Sequence, residues 1–326
     1  MKTHSTDNGV VLHALQSLVV LSSPQYPELY RPLVDADVNG IVMSTLKDSF
    51  IDDMSICIEA CRLLTNLATR AESRVQLGLD EACAVVTSMM KRHETSSQDV
   101  VLEATLTCCQ LATACSENVQ FLTDGGVCES LVTSLDHHRG SDEITEAICR
   151  CLVLLSVCQA AKDILSDFDK CQLFVKHLSK MKGSYTAILW MFRLIISMCH
   201  DHSSCIRFGA GGAHRVITST ILQYKDYGEA VRYGLVALLR LSEVNGAKCD
   251  ENLFRLYTNE TYEALSLALK LYSHDIDVAD PALRLLALIT TASDPAAEGT
   301  VEAAADGTDA TSPALPMTAS PPKPSR

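Results

Sequence analysis

Residues 118–127 read NVQFLTDGGV, and this stretch decides the fold. Its apolar residues predict a short helix, and the two glycines that follow predict a sharp end, because glycine readily takes the left-handed conformation that stops a helix. Beyond this corner, Leu131 and Leu135 lie four residues apart and predict a second amphipathic helix. The polar segment 137–142 then forms a turn before a longer apolar segment.

The same order of segments recurs along the chain. Residues 204–222 repeat it with Gly211 and Gly212 at the corner. Long leucine-rich segments end in a large apolar residue, which serves as an anchor for alignment. The anchors are Leu21, Leu67, Leu111, Leu155, Met198, Leu241 and Ile289. Successive anchors are 46, 44, 44, 43, 43 and 48 residues apart, which is the period of helical repeat proteins. Each unit is therefore predicted to hold a short helix, a corner, a middle helix, a turn and a long third helix.

The seventh residue before each anchor is usually small. A small residue at this position lets neighbouring helices approach closely. The small residues are Ala14, Ala60, Ala104, Gly234 and Ala282. Ile148 and Met191 take the same position in the other two segments.

This pattern resembles the armadillo repeat, the unit of beta-catenin and importin-alpha. The resemblance is carried by Asn118, Leu122, Gly125, Gly126, Leu131, Leu135, Ala147 and Leu155, with an echo in the segment 63–68. It implies an all-α fold, a right-handed superhelix of the armadillo/HEAT type, and a non-catalytic scaffold that binds other proteins. We expect the solenoid to occupy residues 1–292. It would hold a leading third helix, five full units and a divergent last unit, from Ala247 to Thr290, that lacks the glycine corner.

The composition supports helix-on-helix packing and argues against some partners. Hydrophobic residues make up 47% of the chain and aromatic residues only 5%. The net charge of -13 disfavours nucleic acid and anionic membranes, and no apolar run predicts a membrane span. Most of the 14 cysteines lie in apolar helical segments, where a free thiol acts as a small hydrophobe. We therefore expect a reducing, cytoplasmic location, with nucleus and cilium as alternatives.

The last residues have a different composition. From Ser293 onward, alanine, proline, serine, threonine and acidic residues dominate. Such a segment cannot bury enough apolar surface to offset its conformational entropy. We therefore expect residues 293–326 to be a disordered tail.

No motif of a catalytic or cofactor site is present in the sequence, so we expect no enzyme activity, cofactor or metal. The glycine-rich segment 209–212 joins two helices and lacks the lysine of a phosphate-binding loop. The segment from Cys199 to Cys205 holds two cysteines and two histidines, His200 and His202. Their spacing is not a standard zinc pattern, and the histidines fall in a turn, where polar residues are ordinary.

The armadillo resemblance implies that the third helices line a concave groove. Positions one, five and eight before each anchor share one helical face, and we expect them to line this wall. The residues we expect to contact a partner are Arg62, Asn66, Gln110, Arg150, Trp190, Arg193, Tyr233, Arg240 and Arg284. Five arginines on an otherwise acidic protein would suit an acidic peptide segment. Alternatively, these arginines bridge adjacent repeats, for example through Glu59 and Glu103.

Several functions fit such a solenoid. Importin-alpha-like proteins carry a tryptophan and, four residues later, an asparagine in successive repeats. This chain lacks such pairs: the residue four before Asn66 is Arg62, and the residue four after Trp190 is Leu194. The sequence therefore favours a protein-interaction scaffold over a nuclear-import receptor. A regulator of a small GTPase or chaperone, and a structural component of a cytoskeletal or ciliary assembly, are the alternatives.

Overall fold

The computed structural model describes residues 7–46, 50–181 and 183–292. The segment 293–326, for which the sequence predicts a tail, lies outside the described residues. Within the described ranges the chain is built from helices and one two-stranded hairpin. None of the helices described there is long and apolar enough to cross a membrane.

The long helices coincide with the anchored segments of the sequence. They are α1 (Asn8–Leu21), α4 (Met54–Leu67), α7 (Gln98–Ala112), α10 (Asp142–Leu155), α13 (Tyr185–Met198), α16 (Gly228–Ser242) and α19 (Ile276–Ala292). We call these the third helices. An aspartate or serine side chain accepts a backbone N–H at the start of six of them, which satisfies a donor that has no intrahelical partner. These caps are Asp7, Asp53, Ser97, Ser141, Ser184 and Asp275.

Two shorter helices precede each third helix from α4 onward. The first helices are α2 (Tyr30–Asp35), α5 (Ala71–Leu79), α8 (Ser116–Asp124), α11 (Gln159–Leu165), α14 (His202–Ala210) and α17 (Asp250–Arg255). The second helices are α3 (Val38–Thr45), α6 (Ala82–His93), α9 (Val127–His137), α12 (Phe168–Lys180), α15 (Ala213–Gln223) and α18 (Asn259–Leu271). A single 3₁₀ turn, Pro27–Leu29, leads into α2.

Four of the six corners between first and second helices use a left-handed residue. Gly126 and Gly212 have φ of 85° and 82°, as the sequence predicts for the residue that ends a helix. Asp37 and Glu81 take the same conformation, with φ of 53° and 66°. Glycine is thus the least strained occupant of this corner and not a requirement, and the corners before α12 and α18 form without a left-handed residue.

Consecutive third helices pack directly on one another along the whole described chain, from α1 against α4 to α16 against α19. Their buried faces join the other helices in one continuous core. Gly234 shows why the seventh position before the anchor is usually small. A Cβ on Gly234 would lie 2.5 Å from Ile221 Cγ1. Serial packing of similar units is therefore what holds this fold together.

A buried asparagine links first helices of adjacent units at two places. Asn118 Nδ2 donates to the carbonyl oxygens of Arg74 and Leu111 at 2.8 and 3.0 Å. Asn252 Nδ2 donates to those of Cys205 and Leu241, both at 2.8 Å. Each asparagine lies against a glycine of the preceding first helix, and a Cβ on Gly78 or Gly209 would lie under 2 Å from the amide oxygen. Each of these two interfaces thus needs an asparagine and a glycine together.

The last unit has three helices like the others but enters them through a hairpin. Glu243–Val244 pairs antiparallel with Ala247–Lys248. The two-residue turn uses Asn245 and Gly246, both with positive φ, which is the preferred chemistry of such turns. The hairpin, together with the turn before α19, accounts for the longer spacing of the last anchor.

Candidate binding surface on the third helices

The nine residues predicted to line the groove all lie on third helices, and none of their side chains is fully buried. Arg62, Arg150, Arg240 and Arg284 are exposed, whereas Asn66, Gln110, Trp190, Arg193 and Tyr233 are half-buried. They form three regions that differ in charge and in hydrogen bonding.

At the amino-terminal end, the polar residues connect neighbouring repeats. Arg62 pairs with Glu59 at 3.0 Å on its own helix and with Glu103 at 2.8 Å on α7. Asn66 Nδ2 donates to the carbonyl oxygen of Val19 at 3.0 Å. Because Arg62 is paired with two glutamates, this end of the wall presents little unpaired positive charge.

Gln110 continues the same arrangement, since its Nε2 donates to the carbonyl oxygen of Ala68 at 3.3 Å. This carbonyl lies at the end of α4, where helical carbonyls lack intrahelical partners. Gln110 therefore extends the polar bridging from α4 to α7.

In the centre, an arginine is held between two aromatic rings. The Arg193 guanidinium carbon lies 4.5 Å from the ring centroid of Trp190 and 4.6 Å from that of Tyr233. One of its nitrogens donates to the Tyr233 hydroxyl at 2.9 Å. Stacking of this kind fixes the guanidinium plane while leaving other N–H groups to donate. The sandwich joins α13 to α16.

Two arginines flank this sandwich and have no partner among the residues that the structure describes. The side chains of Arg150 on α10 and Arg240 on α16 are exposed, and neither guanidinium makes an ion pair or hydrogen bond with any residue that the structure describes. We call Arg150, Trp190, Arg193, Tyr233 and Arg240 the central strip. Within the described ranges, Arg150 and Arg240 of this strip present positive charge that no carboxylate neutralises.

At the carboxyl-terminal end, a cleft of about 660 Å³ opens between α16, α19 and the hairpin. Its charges are mixed. Arg284 is bound to Glu243 and lies 4.0 Å from Asp280, and Arg232 pairs with Asp277 at 3.0 Å. Arg284 therefore bridges repeats, as Arg62 does at the other end.

The cysteines contribute to packing. All but Cys158 are buried, and all are free thiols. Burial raises the pKa of the Cys83 and Cys128 thiols to about 12, because an apolar surrounding disfavours the thiolate. These thiols are therefore protonated and unreactive in the folded protein at neutral pH.

The cluster from Cys199 to Cys205 does not form one site. Cys199 and Cys205 are buried, and His200 Nδ1 lies 2.9 Å from the carbonyl oxygen of Met198. Asp201 caps α14 by accepting from the Ser204 N–H. His202, by contrast, is exposed and faces the start of α17.

The comparisons with known proteins define the class of this fold. No protein-family model and no curated protein sequence matches the chain. A designed armadillo repeat protein is 17% identical with a TM-score of 0.63, over 77% of this chain and 99% of that one. Another, in complex with the peptide (KR)4, is 18% identical with a TM-score of 0.62, over 77% and 98%. A structure concerned with the phosphorylation-controlled interaction of cadherin and beta-catenin is 17% identical with a TM-score of 0.60, over 87% and 59%.

These likenesses establish the fold that the sequence pattern predicted. The chain is an armadillo-like repeat solenoid, an all-α right-handed superhelix. The central strip lies on the third helices α10, α13 and α16 of this solenoid.

Proposed function

We propose that this protein is a non-catalytic interaction scaffold that binds an acidic, extended segment of a partner protein along the central strip. The observation that carries this proposal is a pair of arginines, Arg150 and Arg240, that flank the Trp190–Arg193–Tyr233 sandwich and make no ion pair within the described part of the chain. These guanidinium groups lie on three consecutive third helices, α10, α13 and α16, and we place them along one groove.

The chemistry of the strip favours carboxylates. A guanidinium presents several N–H donors in a planar fork that matches a carboxylate, and such charge-assisted hydrogen bonds are stronger than neutral ones. Tryptophan and tyrosine beside arginine are the residue types that dominate binding energy at interfaces. Because Arg193 is already held by two rings, little side-chain entropy is lost when it binds a ligand.

The two ends of the groove are less suited to this role. Arg62 and Arg284 are engaged by acidic residues of neighbouring repeats. An acidic ligand would have to displace those carboxylates, whereas at Arg150 and Arg240 no carboxylate of the described residues is paired with the guanidinium. We therefore place the ligand over α10, α13 and α16.

The structural neighbours support a peptide as the type of ligand. One designed armadillo protein binds the basic peptide (KR)4, and the beta-catenin structure concerns an interaction with cadherin. The charges of the central strip are positive, so we expect this chain to prefer acidic peptides, in contrast to the designed protein that binds (KR)4.

The proposal is tested by selecting peptides from a random display library on the full chain and measuring their affinity by fluorescence anisotropy. The Arg150→Glu/Arg193→Glu variant should bind the selected peptides at least about tenfold more weakly, because two charge pairs are lost and become repulsive. A matched control is Arg31→Glu/Arg92→Glu, which changes the net charge equally at two exposed arginines on α2 and α6.

The control should bind as the wild type does. Unchanged affinity in a folded Arg150→Glu/Arg193→Glu variant would refute the location of the site. Selection of basic rather than acidic peptides would refute the charge preference.

A further inference from the structure

We propose that His202, Cys249 and Glu251 form a binding site for a thiophilic divalent cation, with Zn²⁺ as the expected ion. One ligand atom from each side chain, a ring nitrogen, a thiol sulfur and a carboxylate oxygen, lies within 4.8 Å of the other two. These are the three ligand types that zinc takes in proteins, and three protein ligands with one open position make a recognised zinc site.

The site joins two consecutive units. His202 is the first residue of α14, and Cys249 immediately precedes α17, whose first turn contains Glu251. The hairpin places Cys249: its backbone N–H donates to the carbonyl oxygen of Ser242 at 2.8 Å, where α16 ends. The feature that distinguishes the last unit therefore also positions the sulfur.

The ligand-bearing helices are held rigidly next to the site. Asn252, adjacent to Glu251, donates to the carbonyl oxygen of Cys205, three residues after His202, at 2.8 Å. Asn252 is 2% exposed, so this hydrogen bond is shielded from water. A metal site benefits from such support because its ligands must be held near their bonding geometry.

The geometry is close to what zinc requires. Tetrahedral ligands at zinc bond lengths lie roughly 3.3–3.8 Å apart, and Cys249 Sγ already lies 3.9 Å from Glu251 Oε2. The sulfur is buried and fixed, whereas His202 and Glu251 are exposed and can close the remaining distance by rotation. A soft thiolate ligand favours zinc over calcium or magnesium.

The chain holds a matched site that lacks one ligand. Cys115 precedes α8 as Cys249 precedes α17, and its Sγ lies 3.7 Å from Glu117 Oε2. The preceding first helix, α5, reads AESRVQLGL and contains no histidine. A cysteine–glutamate contact is thus an ordinary feature of this helix start, and His202 is what completes a set of three ligands.

The experiment is a titration of the reduced, metal-free full chain with Co²⁺ and then Zn²⁺. Co²⁺ bound to a thiolate gives an intense near-ultraviolet charge-transfer band, which Zn²⁺ should abolish by displacement. We expect one equivalent to bind the wild type and the Cys115→Ser control. Cys249→Ser should lose the band, and His202→Ala, which alters an exposed side chain, should bind at least about tenfold more weakly.

A readout of stability accompanies the titration. Zn²⁺ should raise the melting temperature of the wild type and of Cys115→Ser by more than that of His202→Ala, because an ion that binds only the folded state stabilises it according to its affinity. The proposal is overturned if the wild type shows no thiolate–cobalt band, or if Cys115→Ser weakens binding as much as Cys249→Ser does. Equal affinity of His202→Ala and the wild type would overturn it as well.

Discussion

Replacement of Gly209 by alanine should destabilise the protein, and the same replacement should stabilise it once Asn252 is alanine. In the native chain a Cβ on Gly209 would lie 1.7 Å from Asn252 Oδ1, which no relaxation of a few tenths of an ångström can accommodate. The asparagine side chain would have to leave its place between α14 and α16.

The size of the effect follows from the contacts that would be lost. Asn252 Nδ2 makes two hydrogen bonds of 2.8 Å to buried carbonyl oxygens, and its Oδ1 accepts from Arg255 at 2.8 Å. At about 1 kcal/mol for each net hydrogen bond, the loss is about 2–4 kcal/mol. Alanine gains about 1 kcal/mol over glycine inside a helix. Gly209→Ala should therefore cost about 1–3 kcal/mol in the free energy of unfolding.

The assay is urea denaturation followed by helical circular dichroism for the four members of the double-mutant cycle. In the Asn252→Ala background, Gly209→Ala should raise the free energy of unfolding by up to about 1 kcal/mol. Gly78 and Asn118 provide a second cycle with the same expected change of sign. An equal cost of Gly209→Ala in both backgrounds would refute the steric reasoning.

Three further predictions concern charge, pH and thiols. Arg62→Ala should lower the free energy of unfolding by about 1–2 kcal/mol in urea denaturation, because the Arg62 side chain is 47% exposed but leaves Glu59 and Glu103, 15% and 17% exposed, without their partner. No measurable loss would contradict this. Burial lowers the pKa of His177 to about 4, below its value of about 6.5 in an unfolded chain. As pH falls, the unfolded state therefore binds the proton first, and stability is lost from about pH 6.5 to about pH 4. The His177→Leu variant should show a weaker dependence of the urea midpoint on pH in this window. An unchanged dependence would show that His177 is not the group responsible. Cys158 is the one cysteine that is not buried, so a thiol reagent should modify it first in the native protein. The Cys158→Ser variant should lose this rapid phase of modification. A rapid phase that persists in the variant would show that another cysteine is accessible and would contradict the prediction.

Much of the fold could be predicted because the repeat is encoded locally. The anchors Leu67 and Leu155 are buried as their spacing predicts, and the glycine corner at Gly126 has the left-handed conformation expected. The hairpin at Asn245 and Gly246 was not predicted, although an asparagine–glycine pair is a strong hairpin signal. The sequence on both sides of Asn245 and Gly246 has a strong helical period, which favours a helix over a hairpin.

The candidate site was predictable only in part. Helical spacing predicts that Arg150 and Arg193 lie on the face of their third helices that is not fully buried. Whether such an arginine bridges repeats or stays unpaired depends on side chains of the next unit, about 40 residues away in the chain. Glu103 neutralises Arg62 in this way, whereas Arg150 meets no such partner among the described residues. Contacts between units also bring His202 to Cys249, which lie 47 residues apart in the chain. Local sequence patterns cannot reveal such contacts without the register of the repeats.

Hydrogen exchange of the full chain with and without a selected acidic peptide tests the central claim most directly. If the peptide lies over the central strip, backbone amides of α10, α13 and α16 should gain protection, because binding suppresses local opening of the helices that it contacts. The second helices α9, α12 and α15 should change less. Protection confined to those second helices, or to α1 and α19, would contradict the proposed groove.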